Sequence, residues 1–196
     1  MGHGTISVDA FLQLVELAQI QHIVDVRKIP RSQRHPQFAR EAMESWLPQA
    51  GLSYRWEPRL GGFRRPAPDS TNVALRHPAF RGFADYMQTP EFWHAFDELV
   101  AEAETALTAV MCSESLWWRC HRRLIADAAV LTRGIEVEDL SHDGRLVPHR
   151  VTEGARVHNS SVVVYDVVDQ AALLEAPRSA VERRPPLQAG RSRPAS

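Results

Sequence analysis

The chain has 196 residues, of which 44% are hydrophobic and 24% charged, and its formal net charge is −1. This composition is ordinary for a globular protein and supplies enough apolar material for a full core. No apolar run approaches the roughly 20 residues of a membrane-spanning helix, and the N-terminus lacks the pattern of an export signal. Two cysteines without a disulfide framework indicate reduced thiols, so we expect a cytoplasmic protein.

The predicted elements alternate between helix and strand from the N-terminus onward. Ser7 can cap a first helix, whose apolar residues recur at helical spacing up to Ile20. The β-branched run from His22 to Arg27 then predicts a buried strand. Further strands are predicted at residues 52–56, 106–112, 135–140 and 161–165, further helices at 38–47, 80–88, 90–104 and 119–133, and a long loop at 57–78.

This order predicts an α/β protein with three layers, in which helices flank a mostly parallel, Rossmann-like sheet. We assign residues 1–168 to a single domain. The composition shifts to Arg, Pro, Ala and Ser toward the C-terminus, and we expect residues 169–196 to form a disordered tail.

Charge is unevenly distributed along the chain. Residues 27–65 hold nine arginines and lysines against three glutamates, whereas residues 82–118 hold seven acidic residues and no lysine or arginine. A basic region beside an acidic one is typical of a polar molecule with a directed electric field. Solvated surface in both regions is the alternative interpretation.

Chemically useful side chains follow three of the predicted strands. Gly2-His-Gly4 ends the remnant of a first strand, Asp25 and Arg27 end the next one, and Cys112-Ser-Glu114 ends a later one. Ligands bind outside the carboxyl ends of the strands in an open parallel sheet, so we expect these residues to converge there. Pairing of Asp25 with Arg27 and local bonding of His3 would be an alternative, purely structural role.

Cys112 is the candidate nucleophile because it follows a buried strand and precedes a turn into a helix. Nearby cations lower the pKa of a thiol and hold an anion, and the next segment supplies Arg119, His121 and Arg122. The interval from Cys112 to Arg119 is one residue longer than in the phosphatase-type loop, in which five residues separate Cys and Arg. A pair of tryptophans stands where that loop has glycines.

No metal site is predicted from the spacing of Cys112 and Cys120-His121, which matches no usual zinc motif. A site could form only by long-range convergence with other histidines, namely His3, His35 or His142. A disulfide between the two cysteines remains geometrically open. The simplest role for Cys120 is that of a small buried hydrophobe on the first turn of the helix at 119–133. The sequence leaves the cofactor unknown.

A second group of residues suits nucleic acid. Basic loop residues alternate along the chain with aromatic ones: Arg31, Arg34, Arg64 and Arg65 with Tyr54, Trp56 and Phe63. Arginines that grip phosphates and rings that stack on bases are typical of single-strand binding. Solvated loops are the alternative interpretation.

Several short motifs form a specific combination. They are Gly2-His-Gly4, Asp25-Val-Arg27, Pro30-Arg-Ser32 with Arg34, Pro36 and Phe38, Leu60-Gly-Gly62, Arg81-Gly-Phe-Ala-Asp-Tyr86, Met111-Cys-Ser-Glu114 and Cys120-His-Arg122. This combination resembles the family called domain of unknown function 488, from residue 2 to about residue 157. The resemblance implies an α/β fold with the motifs gathered at one site, and it implies no established reaction. Members usually carry a few more apolar residues before Gly-His-Gly, so we expect residues 1–4 to be the end of a first strand.

Two functional hypotheses follow. In the first, the chain is an enzyme that acts on a small phosphate-bearing or nucleotide-like ligand. Cys112 is its predicted nucleophile, and Glu114 or His121 its acid and base. An anion clamp is predicted from Arg27, Arg119 and Arg122, with Asp25 orienting it. Further ligand contacts are predicted at His3, Arg31 and Arg34. In the second, the chain is a binding module for nucleic acid. A small protein-interaction domain remains a third alternative, and no membrane partner is expected.

Overall fold

The computed structural model of the protein describes residues 1–31, 33–159 and 162–166. The predicted tail at 169–196 lies outside the described residues. None of the helices in the described ranges combines the length and the apolar character that crossing a bilayer would require. The helices and strands are α1 (Val8–Leu17), β1 (His22–Asp25), α2 (Arg40–Gln49), β2 (Ser53–Trp56), α3 (Pro78–Tyr86), α4 (Pro90–Ala103), β3 (Thr108–Met111), α5 (Arg122–Arg133), β4 (Glu138–Leu140), β5 (Leu146–Pro148), β6 (Ala155–His158) and β7 (Val162–Tyr165).

Three strands form a parallel sheet in the order β2-β1-β3. His22 at the start of β1 lies opposite the first residues of β2 and β3, and Asp25 at its end lies opposite their last residues. Because the strands start level and run in one direction, their carboxyl ends lie side by side. The N-terminus continues this row, since Gly2 forms a parallel bridge with Cys112.

The two faces of β1 pack against different helices, as its continuous apolar run predicts. Ile23 lies in an apolar cluster with Phe11 of α1 and Met43 of α2. Val24 lies in a second cluster, which includes Phe83 of α3 and residues of α4 and α5. Burial on both faces makes β1 the centre of the sheet.

The predicted three-layer, Rossmann-like arrangement is not confirmed, and the sheets are small. The strands after α5 form two separate antiparallel pairs, β4 with β5 and β6 with β7. The strand predicted at 135–140 therefore does not extend the parallel sheet. Its connection to β5 is a short turn, and a parallel pairing would need a crossover of about a dozen residues or more. The fold is a mixture of helices and strands with one small parallel sheet.

The helix starts follow the expected capping chemistry, with one correction. Ser7 and Thr89 accept hydrogen bonds from backbone N–H groups in the first turns of α1 and α4. α5 ends at Gly134, which has a φ of 63°. α5 begins at Arg122 and not at residue 119, because Cys120 has an extended backbone with φ −117° and ψ 147°. The prediction that Cys120 lies on the first helical turn is wrong, and the prediction of its burial is confirmed.

A buried charged network ties the C-terminal hairpins to α5. The carboxylate of Asp127 accepts hydrogen bonds from His149 Nε2 (3.0 Å), the backbone N of Thr152 (2.8 Å) and the hydroxyl of Tyr165 (2.9 Å). His149 Nδ1 donates to Asp139 (2.9 Å). Burial alone would lower the pKa of His149, but its hydrogen bonds with Asp127 and Asp139 raise that pKa to about 9. His149 is therefore a buried cation held between two carboxylates at neutral pH.

Candidate functional site at the ends of the parallel strands

The N-terminal residues join the sheet at the carboxyl end of β3. The backbone N of His3 donates to Cys112 O (3.0 Å), and that of Gly4 donates to Ser113 O (3.0 Å). Asp25 ends β1, the neighbouring strand. The three strand ends singled out from the sequence thus lie at one edge of the sheet.

Asp25 and Arg27 form a buried ion pair at this edge. Arg27 donates to the carboxylate through Nε (2.8 Å) and Nη2 (2.6 Å), and its backbone N also donates to it (3.0 Å). The hydroxyl of Tyr54 adds a fourth hydrogen bond to Asp25 (2.8 Å), and burial together with the Asp25 charge raises the pKa of Tyr54. Asp25 is fully buried and Arg27 is 6% exposed. Most hydrogen-bonding atoms of the pair are therefore bonded to each other or to neighbouring residues of the fold.

His3 is a neutral imidazole that packs beside this pair. A carbonyl oxygen can only accept, so Nδ1 of His3 donates to Gly4 O (3.0 Å) and Nε2 accepts from Arg27 Nη1 (3.2 Å). The ring stacks on Phe38 with centroids 4.4 Å apart. Burial and the neighbouring Arg27 cation lower the pKa of His3 to about 4. His3 therefore lies in the site as a hydrogen-bond acceptor without charge.

Two thiols and an imidazole meet next to the end of β3. The Sγ atoms of Cys112 and Cys120 and a ring nitrogen of His121 all lie within 4.8 Å of one another. Both cysteines are free and buried. A hydrogen bond from the Cys112 thiol, opposed by burial and helped by Arg122, lowers the pKa of Cys120 to about 6. The same hydrogen bond, together with burial, raises the pKa of the Cys112 thiol. The two thiols are therefore coupled, and Cys120 is the one that ionises more readily.

The orientation of His121 is set by the loop that follows β2. Nε2 donates to the carbonyl oxygen of Leu60 (3.1 Å), which leaves Nδ1 as the nitrogen with a lone pair. Nδ1 is 3.7 Å from the Sγ of Cys120. Phe83 packs edge-on against the ring at 4.9 Å, and burial lowers the pKa of His121. The neutral ring therefore presents a free lone pair to the thiols.

Arg122 places a partly unpaired cation beside the thiols. Nη2 donates to the carbonyl oxygen of Glu114 (2.7 Å), whereas Nη1 is buried and has no hydrogen-bond partner among the described residues. A Cβ on Gly2 would lie 1.9 Å from that carbonyl oxygen and 2.9 Å from Nη1. Only glycine at position 2 lets the N-terminal strand approach so closely. We call the full set the strand-edge site: His3, Asp25, Arg27, Cys112, Cys120, His121 and Arg122.

Four of the predicted site residues lie outside this group. They are Glu114, Arg31, Arg34 and Arg119, and all four are exposed. The side chain of Glu114 accepts a hydrogen bond from the backbone N of Leu116 (3.3 Å). Its contribution to the strand-edge site is the backbone carbonyl that holds Arg122.

The aromatic residues of the predicted nucleic-acid surface divide into two kinds. Tyr54 bonds to Asp25, and Trp56 Nε1 donates to the carbonyl oxygen of Arg27 (2.8 Å), so both are committed to the fold. Phe63 instead is 87% exposed and has a φ of 61°, a conformation that residues other than glycine rarely adopt. Phe63 is thus the aromatic of this set that is available to a partner.

Sequence reasoning missed three contributors to the site. The sequence favours base stacking for Tyr54 and packing for Cys120, and Leu60 acts only through its backbone carbonyl. The adjacency of Cys120 and His121 was a usable signal, because it puts a sulfur and a nitrogen at one point of the chain. Nothing in the side chain of Leu60 could have indicated its role.

One family model matches the chain. It is described as "Domain of unknown function DUF488" and covers residues 7–129, a span that includes every residue of the strand-edge site except His3. No curated protein and no solved structure is significantly similar to the chain. Because the matched span is more than half of the chain, the protein belongs to the DUF488 family, a family defined by a domain of unknown function.

Proposed function

We propose that the chain is an enzyme that acts on a phosphate-bearing or nucleotide-like ligand at the strand-edge site. The observation that carries this proposal is Nη1 of Arg122, a buried guanidinium nitrogen without a hydrogen-bond partner among the described residues. A buried cation with an unused donor is costly unless an acceptor pairs with it. A phosphate oxygen is the acceptor that a guanidinium group binds most strongly.

Arg122 takes the anion-binding role that the sequence distributed over three arginines. Arg27 is less suited, because Asp25 and His3 already occupy its donors. Arg119 lies at the surface and can contact only a solvent-facing part of a ligand. In this proposal Asp25 holds Arg27 in place, and Arg122 holds the ligand.

The reacting group in this proposal is the thiolate of Cys120. Cys112, the nucleophile favoured from the sequence, instead keeps its proton and donates a hydrogen bond to the Cys120 thiolate. Nδ1 of His121 lies 3.7 Å from Cys120 Sγ, so in this proposal it accepts the proton that Cys120 loses when its thiolate forms. The lowered pKa of Cys120 and the raised pKa of Cys112 support this division of roles.

Anion binding can be measured by thermal shift with inorganic phosphate, pyrophosphate and a panel of nucleotides. A ligand at 100 times its Kd should stabilise the fold by about 2.7 kcal/mol. Arg122→Gln should remove most of that stabilisation, because the unpaired donor is lost. Arg119→Gln is the matched control and should keep it. Equal stabilisation of both variants would contradict the proposal.

The nucleophile can be identified from site-resolved rates of iodoacetamide alkylation at pH 7. Cys120 should react faster than Cys112. Cys112→Ala should slow the reaction of Cys120 several-fold, because the donor that stabilises its thiolate is gone. Cys112→Ser keeps a hydroxyl donor at the same place and should slow it less. Faster alkylation of Cys112 than of Cys120 would restore Cys112 as the nucleophile.

Binding of single-stranded nucleic acid is the second candidate function, and the exposure of Phe63 favours it. An exposed ring can stack on a base, and the exposed Arg31, Arg34 and Arg65 supply cations for phosphates. Phe63→Ala should then weaken binding of an oligonucleotide by about 1–3 kcal/mol. Affinity measured across salt concentrations would exclude this function if it showed no binding at low salt or no salt dependence.

A further inference from the structure

We propose that Cys112, Cys120 and His121 bind a borderline-soft divalent cation of the Zn²⁺ class, and that the bound cation blocks the thiols from reacting. The metal site stands on its own geometry. The blocking effect rests on the proposed function, because it makes the cation an inhibitor of the Cys120 thiolate.

The positions of the three ligand atoms fit one small cation. All three lie within 4.8 Å of one another, and the Cys120 Sγ to His121 Nδ1 distance is 3.7 Å. Zinc–sulfur bonds of about 2.3 Å and zinc–nitrogen bonds of about 2.0 Å give tetrahedral edges of roughly 3.5–3.8 Å. Side-chain shifts of less than about 1 Å would therefore complete the coordination.

His121 is already oriented as a metal ligand. A histidine that binds a metal almost always donates its other ring N–H to a carboxylate or a backbone carbonyl, which fixes the tautomer. His121 makes this bond from Nε2 to Leu60 O (3.1 Å), and its free Nδ1 faces the sulfurs. The hydrogen bond to Leu60 O thus orients the ring independently of the thiols.

Charge and space also suit a divalent cation. Two thiolates carry a charge of −2, so a divalent cation would neutralise them and leave Arg122 facing an uncharged cluster. A Cβ on Gly62 would lie 3.0 Å from His121 Nδ1, so the absence of a side chain there keeps room beside the nitrogen. Three protein ligands leave a fourth position for water or a ligand, as in sites that are not purely structural.

The test uses the full-length chain, reduced and stripped of metal with a chelator. Titration with Co²⁺ should give one equivalent with thiolate-to-cobalt charge-transfer bands, and Zn²⁺ should displace it. Cys112→Ser, Cys120→Ser and His121→Asn should each weaken binding by more than the roughly 10- to 100-fold that loss of an outer-shell partner costs. His94→Asn is the control, because His94 is an exposed histidine of α4.

A further variant tests whether weaker Co²⁺ binding results from a change at the site or from unfolding of the protein. Gly62→Ala keeps all three ligands and should still weaken Co²⁺ binding, since its Cβ crowds Nδ1 of His121. Circular dichroism checks that each variant is folded. Absence of cobalt–thiolate bands in the reduced wild type, or an unchanged Co²⁺ affinity in His121→Asn, would overturn the metal site.

The two proposals fail in distinguishable ways. Zn²⁺ should protect Cys120 from iodoacetamide in the wild type, and a chelator should restore its reactivity. Alkylation that is unaffected by bound Zn²⁺ would overturn the blocking effect. Metal binding without a reactive Cys120 or any anion binding would leave the metal site standing and reject the proposed enzyme.

Discussion

The strand-edge site and the network around His149 both bury histidines, but they hold them in opposite charge states. His3 and His121 donate one ring N–H to a backbone carbonyl and lie near the cations Arg27 and Arg122, which keeps them neutral. His149 lies between two carboxylates and is a cation. Burial disfavours the charged form of all three histidines. The charge of the neighbouring group then decides whether the imidazole stays neutral, as beside an arginine, or becomes a cation, as between two carboxylates.

The two regions also differ in how many of their polar atoms are hydrogen-bonded within the fold. Asp127 accepts three hydrogen bonds, and His149 uses both ring nitrogens. At the strand-edge site, Nδ1 of His121 lies 3.7 Å from the Cys120 sulfur, and Nη1 of Arg122 has no hydrogen-bond partner within the described part of the chain. The network around His149 therefore has its charges paired internally, whereas the strand-edge site keeps the donor that the proposed ligand would pair with.

Removing the Asp127 carboxylate from the network around His149 should have the largest effect on the free energy of unfolding. Asp127→Asn leaves His149 without its main counter-charge and weakens the bonds to Thr152 and Tyr165. We expect a loss of about 3–5 kcal/mol in the free energy of unfolding, measured by urea denaturation. Asp97→Asn is the matched control, because Asp97 forms a surface ion pair with Arg133 and should contribute less than about 1 kcal/mol. Similar losses in both variants would show that the network is no more than surface charge.

The opposite charge states predict opposite slopes of stability with pH. The pKa of His149 is raised from 6.5 to about 9, so its stabilisation is fully present below pH 6.5 and is lost as pH rises to about 9. The size is on the order of 3–4 kcal/mol, from about 1.4 kcal/mol per pKa unit. His149→Gln should flatten this alkaline limb in urea denaturation measured at a series of pH values.

His3 contributes to the matching acidic limb, together with His121, whose pKa is also lowered. The pKa of His3 is lowered to about 4, so the unfolded chain binds a proton more readily between pH 6.5 and 4. Stability should therefore fall as pH falls through this window, by a similar order of magnitude, and His3→Gln should reduce the slope of that limb alone. If either variant changed the slope on the other's side of neutrality, the assigned charge states would be wrong.

Local patterns predicted most of the helices and strands, and they predicted that three strand ends would meet at one edge of the sheet. The β-branched run at His22, the caps at Ser7 and Thr89 and the stop at Gly134 are local features, and each corresponds to an element boundary in the structure. The rule that ligands bind at the carboxyl ends of parallel strands predicted that Asp25 and Cys112 lie at the same edge of the sheet.

The roles within the site depend on contacts that local patterns do not encode. The position of Cys120 against Cys112 results from the extended backbone that delays α5, and the orientation of His121 results from a carbonyl 61 residues earlier in the chain. The two antiparallel pairs were not predicted for a related reason, since the pairing of a strand depends on the length of its connections and not on its own residues alone.

Glu114→Gln should have the smallest effect on stability and is the sharpest check on the residue roles. The carboxylate is exposed and accepts one local hydrogen bond, while Arg122 is held by the backbone carbonyl of the same residue. We expect a change within about 0.5 kcal/mol in the free energy of unfolding and no change in the alkylation rate of Cys120. A folded Glu114→Gln variant that binds the ligand but no longer turns it over would instead restore Glu114 as the acid–base residue that the sequence suggested. That outcome would mean that the exposed carboxylate of Glu114 contributes to the chemistry, even though only the backbone of Glu114 contacts the strand-edge site.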